Sequence, residues 1–252
     1  EGVKALMWSA EFYPDEEEEK PPSKFETWLE KHFGSEGLMK WVIGFSVVVG
    51  IAFALALFII LPTLATSALL YFFPDAPLWL RTLLEGVLKL VIFFLDLFLC
   101  SRLKDIHRTF QYHGAEHKCI NCVEHGHPLT VKYVRESSKE HKRCGTSFIL
   151  IVMVISILMF MVIRVDTIWM RILSRIILVP VIAGISYEVL QCAGRSNSKF
   201  MDLVSRPGMW MQGLTTKEPD DSLIEVAIAA TEAVFDWREY LTENFPGWET
   251  QL

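Results

Sequence analysis

Three residues near the middle of the chain have the types and the spacing of a metal-binding helix. His113, Glu116 and His117 form the pattern His-x-x-Glu-His. On a helix, residues four positions apart project from the same face, so both imidazoles can reach one ion. In inverted zinc peptidases, the two histidines of this pattern bind zinc and the glutamate is the general base. The pattern therefore predicts His113 and His117 as metal ligands and Glu116 as a catalytic base or a further ligand.

Further donors for the same ion lie in the polar segment that contains this pattern. His141 and Cys144 have a His-x-x-Cys spacing, and Cys122 follows His117 closely. Histidine and cysteine together suit zinc, and unpaired cysteines suit a reducing compartment. The sequence thus predicts five zinc ligands, namely His113, His117, Cys122, His141 and Cys144.

The number of ligands decides between two kinds of zinc site. Four protein ligands would make a structural zinc that connects the polar segment to the apolar runs on either side of it. Three ligands and a water molecule near Glu116 would make a catalytic zinc. The sequence leaves both alternatives open.

The elements that must position these residues are long apolar runs. Apolar residue types make up 52% of the chain and its mean hydropathy is +0.32, which is too high for an ordinary soluble domain. A helix of about 20 apolar residues can cross a hydrocarbon core of about 30 Å. We therefore predict an all-α polytopic membrane protein with about four transmembrane helices, at 38–61, 78–99, 146–163 and 168–190.

The remaining sequence divides into three parts around these spans. Residues 1–37 are predicted to form a cytosolic segment with an acidic linker and a helix on the membrane surface. Residues 38–190 form the transmembrane domain, which includes a cytosolic His/Cys loop at 101–145. Residues 191–252 contain a turn at 206–210 and an amphipathic helix from about Ser222 to Tyr240, capped by Asp220 or Asp221.

The distribution of basic residues predicts the orientation in the membrane. Lysine and arginine are frequent at 102–144 and rare in the connections 62–79 and 164–167. By the positive-inside rule, the His/Cys loop and both termini are cytoplasmic. These basic residues are explained by topology and by anionic lipid, so we expect the lipid bilayer as a partner and no nucleic acid. The first residue is Glu1 and we expect no secretory signal peptide.

Charged residues also occur inside the predicted spans. Arg81, Glu85, Lys89 and Asp96 share one face of the second span and alternate in sign, and Glu188 lies in the fourth span beyond Pro180. Because charges at membrane depth are costly, this face should point into a helix bundle or a wet cavity. The charges either neutralise one another within the bundle or form a polar path for an ion or a proton.

Several separate segments resemble one protein family. They are Phe110–Lys118, Arg143–Phe148, Gly184–Leu190 and Leu214–Pro219. In this order they are similar to the YqhQ-like family of bacterial inner-membrane proteins, which are loosely described as predicted metal-dependent enzymes. The resemblance implies a polytopic inner-membrane protein, and its pattern covers His113, Glu116, His117, Cys122, His141, Cys144 and Glu188. Cys119 departs from the pattern, because relatives commonly have another residue there, and relatives begin with a Gly- and Met-rich segment ahead of residue 1.

Two functions follow as hypotheses. The first is a zinc-dependent membrane hydrolase at the cytosolic face, with Glu116 as general base. The second is a non-catalytic scaffold, or a factor for insertion, assembly or quality control of membrane proteins, whose zinc is structural and whose partner is another membrane protein such as the protein-insertion machinery.

Overall fold

The structure, a computed structural model, describes residues 8, 41–42, 44–163, 168–196 and 198–251, and it leaves out the side chains of 105, 168–169, 171–172 and 175. Within these ranges the regular secondary structure is helical and contains no strand. The contacts divide the chain into two compact units, Glu1–Ala56 and Leu57–Leu252. The predicted N-terminal surface helix and the connection 164–167 lie outside the described residues.

In the first unit, the described residues from 44 to 55 are helical, and Trp41 stacks on Phe45 with ring centroids 5.3 Å apart. A π-helical segment, Ala56–Ile60, precedes nine α-helices of the second unit in the described chain. They are α1 (Leu61–Leu70), α2 (Leu78–Cys100), α3 (Lys104–Glu124), α4 (Val131–Glu136), α5 (Gly145–Val162), α6 (Ile168–Arg195), α7 (Lys199–Thr215), α8 (Asp221–Glu232) and α9 (Trp237–Asn244), followed by a 3₁₀ turn at Trp248–Gln251.

Three described helical stretches are long and apolar enough to cross a membrane: Gly44–Leu70, Gly145–Val162 and Ile176–Arg195. They correspond to the predicted first, third and fourth spans. The predicted second span is α2, whose 23 residues are long enough but carry Arg81, Glu85, Lys89 and Asp96. The prediction of an all-helical fold with apolar helices long enough to cross a membrane is therefore confirmed, and the count of four spans stays a prediction.

The first apolar helix does not end at Pro62 as predicted. The helix continues through this residue to Leu70, with Pro62 in the first turn of α1. A proline is tolerated in a first turn, because its missing N–H has no partner there in any case. The π-helical segment just before it changes the hydrogen-bond spacing, which accommodates the proline without ending the helix.

The predicted His/Cys loop at 101–145 is largely helical. It contains α3 and α4, which pack against each other and against α8. These helices and α9 share a core of buried apolar side chains: Ala115, Cys119, Cys122, Val123, Leu129, Val134, Ile224, Ala227, Trp237, Leu241 and Trp248. The segment folds as a layer with its own core because the C-terminal helices cover one face of α3.

The C-terminal part differs from the prediction in two places. The turn predicted at 206–210 lies inside α7, where Gly208 allows so close an approach to α5 that an added Cβ would lie 2.7 Å from Ser147 Oγ. This close packing keeps the helix intact despite Pro207. The single helix predicted from Ser222 to Tyr240 is two helices, because Asp236 caps a new one by accepting from Arg238 N and Glu239 N.

Helical spacing over 222–240 predicts an apolar stripe of Leu223, Val226, Ala227, Ala230, Val234 and Trp237, and the buried face of the C-terminal helices differs from it. Leu223, Ala227 and Trp237 are buried as predicted, but Val226 and Val234 are 52% and 86% exposed. Ile224, outside the predicted stripe, is fully buried. Asp220 caps α8 as predicted, since its side chain accepts from Leu223 N at 3.1 Å.

Candidate metal centre

Three of the predicted ligands meet where α3 approaches the start of α5. The ligand atoms of His113, His117 and Cys144 all lie within 4.8 Å of one another, and His113 Nε2 is 3.4 Å from Cys144 Sγ. His117 and Cys144 are buried, at 3% and 6% exposure. This group could hold a metal ion.

The two histidines are oriented as metal ligands usually are. Nδ1 of His113 lies 2.9 Å from the carbonyl oxygen of Thr215, and Nδ1 of His117 lies 2.7 Å from that of Lys139. A carbonyl can only accept, so each Nδ1 carries a proton, and Nε2 is the ring nitrogen left to bind a metal ion, which would displace any proton it carries. Metal-binding histidines almost always donate their other N–H to a carbonyl, a carboxylate or water, which fixes the tautomer and the ring orientation.

Cys144 is held as a thiolate at the N-terminus of α5. It occupies the N-cap position, where its sulfur accepts from Thr146 N at 3.4 Å and lies 3.1 Å from Thr146 Oγ1. Burial opposes ionisation, but hydrogen bonds to His113, His117 and Thr146 outweigh it and lower the pKa of Cys144 to about 5. The same hydrogen bond to Cys144 raises the pKa of His113. A thiolate is the form that binds metal.

Side chains of α3 also fix the segment that leads to Cys144. The buried ammonium of Lys118 donates to the carbonyls of Arg135 and Ser137 at 2.9 and 2.8 Å and pairs with Glu218 Oε1 at 2.7 Å. Asn121 Nδ2 donates to two further carbonyls, those of residues 138 and 140, at 2.7 and 2.9 Å. Together with the bond from His117 to Lys139, these contacts hold most of the carbonyls from 135 to 140 against α3.

A buried glutamine of α7 holds the last residues before Cys144. Gln212 is fully buried; its Oε1 accepts from His141 N, and its Nε2 donates to His141 O and to Ser147 Oγ, each at 2.8 Å. It therefore connects α7 with the backbone on one side of Cys144 and with α5 on the other.

The segment after α7 lies directly against α3. Lys217 N donates to Phe110 O at 2.8 Å, and Gln111 Nε2 donates to Glu218 O at 3.1 Å. Only a glycine fits at position 114, because an added Cβ would lie 2.1 Å from the carbonyl oxygen of Lys217. This close approach brings the Thr215 carbonyl within reach of His113.

The other predicted ligands are not in the group of three. Cys122 is fully buried in the apolar core, where its thiol donates to Pro128 O at 3.4 Å and burial raises its pKa to about 11. His141 Nε2 lies 3.1 Å from Glu124 Oε2, and its Nδ1 accepts from Arg143 N at 3.3 Å. Both ring nitrogens of His141 therefore have protein partners, and its ring centroid is 5.9 Å from that of His117.

The predicted base Glu116 and the neighbouring Cys119 are not in the group of three. Glu116 is exposed, and its charge contributes to the raised pKa of His113. Cys119 is fully buried in the same core as Cys122, and burial raises its pKa to about 12.

Three of the predicted intramembrane charges line a cavity of about 550 Å³: Arg81, Glu85 and Lys89. Lys89 Nζ pairs with Glu85 Oε1 at 2.7 Å. Asp96 Oδ1 accepts from Cys100 Sγ at 3.9 Å, and Glu188 is exposed. The structure thus gathers the first three charges and leaves the other two apart from the cavity lining.

Sequence reasoning missed the residues that orient the ligands. Lys118, Gln212 and the Thr215 carbonyl act through contacts between residues far apart in the chain, and no spacing pattern indicates them. A weak signal was present for Thr215, which lies in one of the four segments that carry the family resemblance.

The comparisons with known proteins agree with the resemblance seen in the sequence. The profile of a family described as "Protein of unknown function (DUF1385)" matches residues 1–237. The uncharacterized protein YqhQ of Bacillus subtilis (strain 168) is 42% identical over 146 residues, which cover 58% of this chain and 46% of that relative. No solved structure matches the chain. The chain therefore belongs to the DUF1385 family, and it is similar to YqhQ over less than half of that relative's length.

Proposed function

We propose that this protein is an integral membrane protein of the bacterial inner membrane with four transmembrane helices, namely the three apolar stretches and α2. Its zinc site consists of His113, His117 and Cys144 at the cytosolic face. The basic residues at 102–144 support the orientation. Two imidazoles and one thiolate are donors that suit zinc better than the harder cations, which prefer oxygen.

We further propose that the zinc is catalytic and that the protein is a hydrolase. The observation that carries this proposal is the donor count: within the described residues, the group contains three histidine and cysteine donors. Catalytic zinc sites have three protein ligands and a fourth position for water or substrate, where the ion acts as a Lewis acid. Glu116 precedes His117 on α3, is exposed to solvent and is the candidate base that accepts the proton of the attacking water.

The ligand set is tested by zinc content. The purified chain should contain one zinc ion, and Cys144→Ser or His113→Ala should lose it. Cys192→Ser and His107→Ala are matched controls, because both side chains are exposed and outside the site. Retention of zinc by Cys144→Ser would refute the three-ligand site.

The catalytic role is tested by Glu116→Gln. This variant should keep its zinc but fail to complement a strain that lacks the gene, whereas Glu225→Gln, at an exposed glutamate of α8, should complement it. X-ray absorption should give three protein donors and one oxygen around the zinc. Complementation by Glu116→Gln would exclude the role of Glu116 as a base.

A structural zinc is the second candidate function, and the arrangement of the site favours it specifically. The ligands come from α3 and from the N-cap of α5, so one ion would connect these two helices, and the end of α7 orients His113 by a hydrogen bond. In this case the protein is a scaffold or an assembly factor for other membrane proteins. X-ray absorption would then give four protein donors, and a membrane protein would copurify after mild cross-linking.

A further inference from the structure

The cavity of about 550 Å³ lies at the end of the helix bundle away from the candidate metal centre. Its lining comes from α1 and Ile59 before it, the first half of α2 and the end of α5, with Ser174 and Val179 from α6. On α5 the lining begins at Ser156, 12 residues beyond Cys144, which corresponds to about 18 Å along a helix. The cavity is thus a second site, separate from the first.

The described charges that line this cavity do not cancel. Glu85 pairs with Lys89 at 2.7 Å and lies 3.5 Å from Thr63 Oγ1, so these two charges neutralise each other. Arg81 donates one N–H to the carbonyl of Pro74 at 3.2 Å and has no carboxylate partner among the described residues. The described lining therefore carries one surplus positive charge, on a guanidinium with five N–H donors.

A second observation independently indicates a ligand. Thr66 lines the cavity and is only 7% exposed, and its hydroxyl has no hydrogen-bond partner within the described part of the chain. The neighbouring hydroxyls of Thr63, Ser67 and Thr82 differ, because each donates to a carbonyl of its own helix. A buried hydroxyl without a partner is costly, so Thr66 has a donor available for a bound acceptor.

The apolar side chains around Arg81 and Thr66 indicate whether the bound anion is a free ion or the head group of an amphiphile. Apolar side chains of α1, α2 and α5 complete the lining, among them Leu70, Ile157 and Phe160. A neighbouring cavity of about 580 Å³ shares Leu70 and is lined mainly by leucine and phenylalanine, with Asp75 as the charged residue of its lining. The two cavities together offer a polar pocket with a positive charge beside an apolar one.

We propose that these two cavities bind an amphiphile with an anionic head group, such as the phosphate of an anionic phospholipid. Arg81 and the Thr66 hydroxyl donate to the head group, and the apolar cavity beside Leu70 takes part of an acyl chain. Glu85 and Lys89 remain paired, so the lining of the first cavity, where the head group binds, keeps the positive charge of Arg81, while Asp75 lines the second cavity. This site is independent of zinc and of the function proposed for it.

The proposal is tested by lipid binding to the purified full-length chain in detergent, measured by native mass spectrometry. Dioleoyl phosphatidylglycerol should bind at least about tenfold more tightly than dioleoyl phosphatidylcholine, which has the same chains but no net charge. Millimolar inorganic phosphate should not displace it. Equal binding of the two lipids would overturn the proposal, and full displacement by phosphate would overturn the assignment of an amphiphile.

Substitutions locate the binding to this cavity. Arg81→Gln should weaken phosphatidylglycerol binding about tenfold, and Arg81→Lys should restore most of it. Thr66→Val removes only the unpartnered hydroxyl and keeps the shape of the side chain, so it should weaken the same binding about threefold in a folded protein. The matched control is Arg102→Gln, because Arg102 lies outside the cavity and contacts the ring of Phe98.

Two results would overturn this location. One is an equal loss of binding in Arg102→Gln and Arg81→Gln, which would indicate general attraction of the lipid to surface charge. The other is unchanged binding in both Arg81→Gln and Thr66→Val. Zinc content, measured in parallel, should be the same in all of these variants, so failure of this proposal is distinguishable from failure of the metal site.

Discussion

Replacement of Gln212 by methionine should weaken both the fold and the metal site. Gln212 is fully buried and makes three hydrogen bonds of 2.8 Å, two to the backbone of His141 and one to Ser147 Oγ. Methionine has a similar volume but leaves these three groups without their partner. At about 1 kcal/mol for each bond, the expected loss of unfolding free energy is about 3 kcal/mol. In a chain of this size, that corresponds to a fall in Tm of roughly 6–12 °C.

The effect on metal binding follows from the position of His141. The residues from 141 to 143 lead directly to Cys144. Loss of the hydrogen bonds from Gln212 to His141 would free this segment and leave the thiolate less well positioned. Loss of a group that orients a ligand typically costs about 10- to 100-fold in metal affinity, and we expect the lower end because Gln212 acts through the backbone.

The assay is thermal unfolding of the detergent-solubilised protein, combined with competition for zinc by a chromophoric chelator. The control is Gln191→Met, because within the described residues the Gln191 side chain donates only to the exposed Tyr187 hydroxyl, at 3.0 Å. An unchanged Tm in Gln212→Met would refute the claim that the three buried hydrogen bonds of Gln212 stabilise the fold. A lower Tm with unchanged zinc affinity would refute the link between α7 and Cys144.

Three other results are expected. Gly114→Ala should lower Tm and zinc affinity, because its Cβ would lie 2.1 Å from the Lys217 carbonyl, whereas Gly213→Ala, with nothing within 4 Å, should be neutral or slightly stabilising. In the metal-free protein, the absorbance of one thiolate at 240 nm should appear with a midpoint near pH 5 and be absent in Cys144→Ser, and a midpoint near 9 would contradict the hydrogen bonds to Cys144. Zinc affinity should fall as the pH falls through the pKa of His113, which is raised, because zinc must displace that proton; a pH-independent affinity would argue against His113 as a ligand.

The histidine pair could be predicted from the sequence because it depends only on local geometry. Residues four apart lie on one helix face in any fold, and His113 and His117 needed no knowledge of the rest of the chain. The apolar helices were predictable for the same reason, since length and composition define them.

Cys122 was predicted as a zinc ligand because the segment 101–145 was predicted to be a loop, in which helix geometry sets no limit on which side chains can meet. Cys122 is nine residues after His113 on the same helix, and at about 100° per residue this places it on the opposite face. That face is covered by α8, and Cys122 lies in the core there. Once α3 is known to continue to Glu124, helix geometry alone separates Cys122 from the two histidines.

The orientation of the ligands was beyond the reach of sequence patterns. The carbonyls that orient His113 and His117 belong to Thr215 and Lys139, which are 102 and 22 residues away in the chain. Any residue type can supply a carbonyl, so composition carries no signal for this contact. The close packing that keeps α7 helical through Pro207 is likewise a tertiary effect that outweighs a local preference.

The position of Cys144 relates the candidate metal centre to the membrane. Cys144 directly precedes Gly145–Val162, one of the helices that are apolar enough to cross a bilayer. If this helix spans the bilayer as proposed, an ion bound to a thiolate at its end would lie at the level of the membrane surface, neither in the hydrocarbon nor far out in water. On the proposed function, Glu116 and the zinc would then act on a bond presented at this surface. A lipid, or a protein segment held at the membrane, reaches that position without leaving the bilayer, so membrane-bound substrates are the first to test.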